Sequence, residues 1–515
     1  MTPEFPDAFN MADWFVFANL AAGRGDKTAI LFEGRAISYR EVADNVQHVA
    51  ERLVGAGLLP EQRVLLCLRD SPEFVYAWFG AIKAGAVVAQ INPLLPQTDY
   101  EYYLSYVKPQ FAFIDDVSAE NFLAAAKRSR HSDGGRNVIC AGASGDKSFD
   151  GWLAHAARGE PWPTRKDDPA VWLFTSGTTG QSKGAVHCHF HFPFNAETYA
   201  KRFIGMREDD VTVSGPRLFF GYATGTNLMF PFAVGATTVL FREQPTPEIL
   251  FGLIAKHRAT VLTGVPTLIN KMLDADRAVD LSGLRFVWSA GEALPRELHA
   301  RWDAAFGVPI IDGIGSAESF HIYISNRLGD IRPGSLGKLV PGYEARLLDD
   351  EGNAVAQGDV GTLWIKGDSA ALYYQAAFEK SKEHLRGGWI VSGDKFRQDA
   401  EGYWYYEGRG DDLIKSGGIY VSPLEVEGCL MRHAAVRECC VVGRKDGTGL
   451  EKPLAIVVLK EECRGGATLE EELIAFAKQH LARYKAPHWV AFSDTALPRN
   501  DRDKIDRKAL RKLYA

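Results

Sequence analysis

The chain reads as an α/β protein built on parallel sheets, with a smaller β section after them and a short α/β section at the end. Three observations lead there. Short aliphatic runs alternate with helix-period runs through about residue 330, the pattern of parallel strands joined by helical crossovers and buried on both faces. From about Gly334 the runs become short strands parted by turn signals such as Asp350-Glu-Gly352. The length, 515 residues, exceeds that of one ordinary domain, so two or more are expected.

Taken in order, Ala29–Phe32 and Ile37–Tyr39 flank a Glu33-Gly-Arg35 turn and predict a hairpin. Ser38 with Glu41 predicts a capping box. Val42, Val46, Val49 and Leu53 follow at helical spacing until Gly55 and Gly57 end the helix. Arg63–Leu68 is a buried strand, and Ser71-Pro72 opens a helix with proline in its first turn. Val87–Ile91 and Phe111–Ile114 are further strands. To about residue 165 the chain reads as scaffold. Val171–Phe174, Val211–Val213, Thr237–Leu240, Val261–Leu262, Arg285–Ser289 and Val308–Ile311 continue the alternation, and several end in Gly/Pro turns. Ligands of open α/β sheets bind outside the carboxyl ends of strands, so these turns are expected to ring one site. Ala345–Leu348, Gly361–Ile365 and Tyr403–Tyr406 are short strands of the β section, and a domain boundary is expected near Asp411.

Composition excludes some classes of function. The net charge of −6 argues against a nucleic-acid binder, which shows a basic face. The seven cysteines form no C-x-x-C pair and no zinc spacing, which suits a reducing cytoplasm. Cys439-Cys440 lies in an apolar run and reads as buried strand. Met1–Asp13 has acids but no basic segment, so no signal peptide is expected. The apolar stretch Phe74–Leu95 is broken by Lys83, Gln90 and Asn92 and does not read as a membrane span.

The stretch Thr175-Ser-Gly-Thr-Thr-Gly-Gln-Ser-Lys-Gly184 carries the first chemical signal. Glycines let the backbone approach a ligand, successive N–H groups form an anion nest, and Lys183 adds a mobile positive charge. The spacing is not that of a Walker loop, since Gly177 and Gly180 are too close and Gly184 follows the lysine. Three further stretches follow: Asp312-Gly-Ile-Gly-Ser-Ala-Glu318 after a strand, Trp389-Ile-Val-Ser-Gly-Asp394 with Gly408-Arg409, and Pro498-Arg-Asn-Asp-Arg-Asp-Lys504-Ile505. Taken alone, Glu318 is a solvated loop acid or a Mg²⁺ ligand, Asp394 is a turn residue, and the last stretch is a charged surface turn.

Together, in this order and spanning nearly the whole chain, the four resemble the motifs of the adenylate-forming superfamily of acyl-CoA synthetases, adenylation domains and luciferases. The resemblance implies a large N-terminal domain (1–410) of two parallel α/β subdomains plus a small β-barrel-like subdomain. A small, mobile α+β C-terminal domain (411–515) would follow. It assigns ATP to Thr175, Ser176, Gly177, Thr178, Thr179, Gly180 and Lys183, to Gly291 and Glu292, and to Asp312, Gly313, Ile314, Ser316 and Ala317. Asp394 and Arg409 would hold the ribose. Glu318 would position Mg²⁺, Lys504 would be the adenylation lysine, and Thr178 would join them in catalysis. Asp411 matches the hinge, and Lys415, Ser416, Gly417 and Gly418 would line the tunnel for coenzyme A. Two departures stand out: Ile314 replaces the aromatic that stacks on adenine, and Ala317 replaces a threonine. A third, Asp503, stands where glycine is usual before the lysine.

Phe219-Phe-Gly-Tyr222 and Gly313–Ile322 are similar to the benzoate–CoA ligase branch. Phe219, Gly221, Tyr222, Ala290, Gly315, His321 and Ile322 would then line a pocket for a small aromatic carboxylate. Gly221, where that branch is expected to carry alanine, would make room for a substituent such as the amino group of 2-aminobenzoate. The reaction implied is attack of the carboxylate on the α-phosphate of ATP, then of a thiol on the acyl-AMP. Loading of a carrier-protein thiol in place of CoA, and a non-enzymatic nucleotide-binding module, are the rival readings. The expected protein is a cytoplasmic monomer or homodimer that binds neither nucleic acid nor membrane.

Overall fold

A computed structural model describes residues 2–130, 137–142, 148–175, 181–275, 279–410, 413–416, 419–447, 451–499 and 505–514, with only the backbone described at 415–416 and 419–420. The chain begins with the expected hairpin, β1 (Thr28–Phe32) and β2 (Arg35–Ser38). Glu33 and Gly34 take φ of +46° and +82° at its turn. The Ser38 hydroxyl accepts the Glu41 N–H and starts helix Tyr39–Gly55. Only this half of the expected box is seen, because the Glu41 carboxylate pairs with Arg35.

Six strands make one sheet: β3 (Arg63–Cys67), β4 (Val87–Gln90), β5 (Phe111–Asp115), β6 (Val138–Ala141), β7 (Pro169–Thr175) and β8 (Lys183–Cys188), in the order β6-β5-β3-β4-β7-β8. All pairings are parallel except β7 with β8. Both faces are buried: Val64 and Leu66 enter one core while Leu65 and Cys67 enter another. That explains the unbroken apolar runs, since alternate side chains point to opposite faces.

The second sheet adds β9 (Val211–Ser214), β10 (Thr237–Leu240), β11 (Val261–Gly264), β12 (Phe286–Ser289), β13 (Ile310–Gly315), β14 (Ile322–Ser325) and β15 (Lys338–Leu339). Its order is β15-β14-β13-β12-β11-β9-β10-β1-β2. The N-terminal hairpin therefore belongs to this sheet, with Ile30 beside Thr238, although some hundred and seventy residues of other structure intervene. The largest core lies between the two sheets and takes in Phe74, Trp78 and Phe79 of helix Pro72–Lys83. Helices Gln97–Val107 and Asp116–Arg128 cover the outer face of the first sheet. Helices Pro247–His257, Pro266–Asp274 and Arg296–Phe306 cover the outer face of the second.

The β section is a five-stranded antiparallel sheet of β16 (Tyr343–Leu348), β17 (Gly361–Gly367), β18 (Leu385–Arg386), β19 (Trp389–Gln398) and β20 (Trp404–Arg409). After it come a small hairpin, β21 (Ile414–Ser416) with β22 (Ile419–Val421), and a sheet of β23 (Val436–Lys445), β24 (Glu451–Leu459) and β25 (Trp489–Phe492). This last part has two apolar cores drawn wholly from residues 414–514. Cys439 and Cys440 are buried in β23 as expected. Among the described residues no helix is long and apolar enough to cross a membrane.

Candidate active site

The glycine-rich stretch connects two antiparallel strands. Thr175 ends β7 and Lys183 begins β8, directly opposite each other in register. Ser176, Gly177, Thr178, Thr179 and Gly180 lie outside the described residues. The described remainder is braced from helix Gln97–Val107, in the part of the chain that reads as scaffold. The Tyr102 hydroxyl donates to the Ser182 carbonyl at 2.6 Å, and the Tyr106 oxygen accepts the Gly184 N–H at 3.2 Å while donating to the Gln375 carbonyl. On its other edge β8 is bonded by residues 372–375: Leu372 N–H donates to Val186, Val186 N–H to Tyr373 and Gln375 N–H to Gly184, each at 2.9 Å.

Glu318 sits on a single 3₁₀ turn, Ala317–Ser319, between β13 and β14. The turn is tight because its neighbours leave no room for side chains. A Cβ on Gly313 would lie 2.8 Å from the Ile324 carbonyl oxygen, and one on Gly315 would overlap the His321 carbonyl. Phe320 closes the turn at φ +67°, a conformation unfavourable for a bulky residue. Its ring is buried and stacks on Phe192 at 3.6 Å. The Glu318 carboxylate accepts the Tyr374 hydroxyl at 2.6 Å, and its carbonyl accepts the Ala371 N–H at 2.7 Å. Burial and the adjoining Glu318 charge both push the Tyr374 phenol far up, so it stays a donor.

Asp394 lies within strand β19 rather than in a turn, facing Arg409 of β20 in register. The two side chains are 3.9 Å apart, and the Tyr406 hydroxyl donates to Asp394 at 3.3 Å. Adjacent strands thus present a carboxylate and a guanidinium side by side. Below them Tyr323 is pushed up by burial first, then by the charges of Asp394 and Glu318. One buried phenol thus lies within reach of both carboxylates. Asp312 ends the buried part of β13. Desolvation drives its carboxyl up to about 8, only partly opposed by the bond from the Ser289 hydroxyl at 2.7 Å, so it is mostly a neutral acid at pH 7. Gly291 takes φ +85° after β12. Glu292 accepts both the N–H and the hydroxyl of Thr267, at 3.1 and 2.9 Å, and so serves the N-terminus of helix Pro266–Asp274. Ile314 is half-buried against the main core.

The aromatic side is built differently. Segment 217–224 is pinned to the first sheet: Asp70 accepts the Leu218 N–H at 2.9 Å, and the Gln90 amide donates to the Leu218 carbonyl and the Thr224 hydroxyl at 2.9 and 2.7 Å. This holds Phe219, Gly221 and Tyr222 against the carboxyl ends of the strands. Tyr222 and His321 face each other with ring centres 5.5 Å apart, and Phe230 lies edge-on to His321 at 4.6 Å. Burial lowers the His321 pKa to about 4, so the ring is neutral. Its Nε2 lies 3.0 Å from the Tyr222 carbonyl and must carry the proton. Nδ1 is then a bare acceptor. His321 Nδ1 and the Tyr222 hydroxyl are both buried, with no hydrogen-bond partner among the described residues. Gly225 sets this geometry from a π-helical turn, Gly225–Met229. A Cβ there would lie 2.5 Å from His321 Nε2 and closer still to Cδ2. A Cβ on Gly221 would meet Leu173 at 3.4 Å, so on that side the space is already in contact.

Sequence reasoning missed Tyr374, His187 and Gly225, and the bracing groups Tyr102, Tyr106, Asp70 and Gln90. A glycine inside an apolar helical run was the available signal for Gly225. The others are placed by tertiary pairing alone. Asp411, Gly417, Gly418 and Lys504 lie outside the described residues, and Lys415 and Ser416 are described only as backbone of β21. The flanks of the Lys504 stretch are anchored. Asp506 N–H donates to the Pro498 carbonyl at 2.7 Å, and Arg507 grips both oxygens of Glu427 at 2.5 and 2.7 Å.

Comparison with known proteins agrees with this geometry. The model of the AMP-binding enzyme family matches residues 17–375, and that of the AMP-binding enzyme C-terminal domain matches residues 425–504. A benzoate–CoA ligase of Thauera aromatica is 43% identical over 514 residues, covering 99% of this chain and 97% of that protein. The crystal structure of the anthranilate CoA ligase AuaEII in complex with anthranoyl-AMP superposes with a TM-score of 0.91 at 37% identity, over 99% of this chain and 98% of that one. A benzoate CoA ligase from Burkholderia xenovorans LB400 gives a TM-score of 0.88 at 39% identity, over 98% and 100%. With both family models, full-length relatives and the converging motifs in agreement, the chain belongs to the adenylate-forming AMP-binding enzymes, on their benzoate–CoA ligase-like branch.

Proposed function

We propose that the protein joins a benzoate-class acid to coenzyme A, spending ATP through an acyl-adenylate and releasing AMP and pyrophosphate. The observation that carries the choice of acid is the aromatic cluster of Tyr222, His321 and Phe230 with two buried polar atoms that have no partner among the described residues. Such a pocket accepts a flat ring and rejects a long flexible chain. A buried polar atom without a partner costs about 1–3 kcal/mol. A ring that offers His321 Nδ1 a donor therefore gains over one that does not, which favours 2-aminobenzoate beside benzoate.

Thr175 and Lys183 would grip the pyrophosphate side of ATP, and Asp394 with Arg409 the ribose. A carboxylate is a poor acyl donor because its leaving group is poor, and transfer to AMP corrects that. In such phosphoryl-centre chemistry the protein contributes mainly position and charge neutralisation. Among the described residues no group of three His, Cys, Asp or Glu side chains is placed to hold a metal by itself. A lone carboxylate fits Mg²⁺, which takes one or two carboxylates and completes its shell with phosphate oxygens and water. Glu318 would hold it, and the ion would neutralise charge on the phosphates. Tyr374 fixes the Glu318 carboxylate for that role. Lys504 would reach the α-phosphate from a C-terminal domain beginning near residue 411, with Asp411 as the hinge and the 415–418 segment facing CoA in the second step.

A panel of benzoate, 2-amino-, 2-hydroxy- and 4-hydroxybenzoate, phenylacetate and octanoate, with pyrophosphate release measured, tests the reading. Benzoate and 2-aminobenzoate should lead, with octanoate inactive. Equal turnover of octanoate would overturn the pocket assignment. Product analysis with CoA against a phosphopantetheinylated carrier protein identifies the acceptor, and CoA thioester is expected.

A further inference from the structure

Strand β8 carries a second polar group after Lys183. His187 is fully buried, and its Nε2 lies 2.7 Å from the carbonyl oxygen of Ala317, the peptide that leads into Glu318. Its Nδ1 lies 3.1 Å from Nδ1 of His191, on the short helix His191–Asn195. Burial holds both rings neutral at pH 7, with His187 down to about 4 and His191 lower still. A carbonyl accepts only from a donor, so His187 carries its proton on Nε2. The Cys188 N–H is directed at His191 Nδ1 at 3.3 Å, so that nitrogen accepts from the strand and gives His187 no donor. His187 donates from Nε2 to the Ala317 carbonyl, and the Ser369 backbone also bonds its ring.

We propose that His187 is a positioning residue for adenylation, holding the Ala317–Ser319 turn, and with it Glu318, in register with the strand that begins at Lys183. The turn meets β8 at two points. Tyr374 bonds the Glu318 carboxylate while sitting opposite Ala185 of β8, and His187 takes the peptide before it. The turn is also held by the Phe192–Phe320 stack, by the Phe320 N–H on the Ala317 carbonyl and by the Ala371 N–H on the Glu318 carbonyl. The His187 bond is the one that ties the Ala317 carbonyl to β8, and it is directional.

The inference rests on the reading of Lys183 and Glu318 as groups on the ATP side. His187→Leu keeps bulk and removes the donor, while His187→Gln keeps an N–H at about the reach of Nε2. Three readouts apply to each: the melting temperature, calorimetric affinity for ATP with and without Mg²⁺, and the two half-reactions assayed separately. His187→Leu should slow acyl-AMP formation about tenfold and weaken ATP binding only when Mg²⁺ is present. Thioester formation from supplied acyl-AMP should stay within about twofold, and His187→Gln should recover most of the loss. If the leucine variant does not fold, His187→Asn, whose shorter amide does not reach the Ala317 carbonyl, should show the same selective slowing. Equal slowing of both half-reactions, or none, overturns the proposal. Glu318→Gln separates the two layers: if it leaves Mg²⁺-dependent ATP binding unchanged, the reading of Glu318 fails. If it abolishes that binding while His187→Leu does not alter it, only the role of His187 fails.

Discussion

The two sides of the active site solve different problems. On the side proposed for the phosphates Lys183, Glu318, Asp394 and Arg409 stand at strand ends or on a sheet surface, partly exposed, and Asp394 and Arg409 face each other across β19 and β20. On the aryl side Tyr222, Phe230 and His321 belong to the packed interior and carry no charge at pH 7. On the proposed reading the first would hold ATP through polar groups on short loops and the second the acid by shape, so that specificity for ATP would lie in residue type and specificity for the acid in packing.

The largest expected effect tests the charged side. Lys504→Ala should cost at least about a hundredfold in acyl-AMP formation, while supplied acyl-AMP is still converted to thioester. Loss of both steps would remove the division of labour between the domains. Next, Gly225→Ala should push the His321 ring out of place and raise the KM for the aromatic acid by about tenfold or more, as a displaced wall does. The KM for ATP should stay put. Movement of both constants together would mean that the two sides are not separable. A smaller change is expected of His321→Leu. It removes the Nδ1 acceptor and should lower kcat/KM for 2-aminobenzoate about tenfold relative to benzoate, in a competition assay. Equal loss on both acids would leave His321 a packing residue.

The smallest effect is on stability against pH. His187, His189, His191 and His321 are all held below the ordinary histidine value by burial. The unfolded chain binds protons near pH 6.5 that the folded chain refuses until about pH 4 or lower, so this stability is complete above 6.5 and is lost as the pH falls through that window. Asp312 works the other way. Its folded value, about 8, exceeds the unfolded one, so its contribution is present below about pH 4 and is lost as the pH rises toward 8. Asp70, raised by burial to about 6, acts in the same sense as Asp312, and four histidines outweigh the two acids, so the melting temperature should climb from pH 4.5 to 6.5. A flat profile would mean that these buried histidines are less dry than their packing implies.

Most strands are legible in the sequence because their apolar runs are buried on both faces. Two escape. Lys183–Cys188 begins inside a polar loop composition, and Trp389–Gln398 carries Ser392, Gly393 and Asp394 at its middle, which read as a turn. The sequence order also hides that the first hairpin completes the second sheet, since register between distant segments leaves no local trace. In the site, the four motifs are visible because their chemistry demands particular residue types at short spacing. Tyr374, His187 and Gln90 are invisible because they are ordinary residues made useful by what folding sets beside them. A Cβ at Gly221 would rest in ordinary contact with Leu173, at 3.4 Å, so the glycine leaves room for about one methyl beside it.

The parallel pairing of β1 with β10 has a consequence for how the protein is made. Ile30 and its neighbour Thr238 are separated by about two hundred residues of synthesis, which takes roughly 10–40 s at ribosomal rates. A two-stranded hairpin is marginal alone in water, so the β1–β2 hairpin has to wait, with its apolar face uncovered, for its docking partner. The first sheet, whose strands all lie between residues 63 and 188, can close in the meantime. Assembly of the active site is therefore late, and the waiting hairpin is the segment of the nascent chain that a chaperone has most reason to hold.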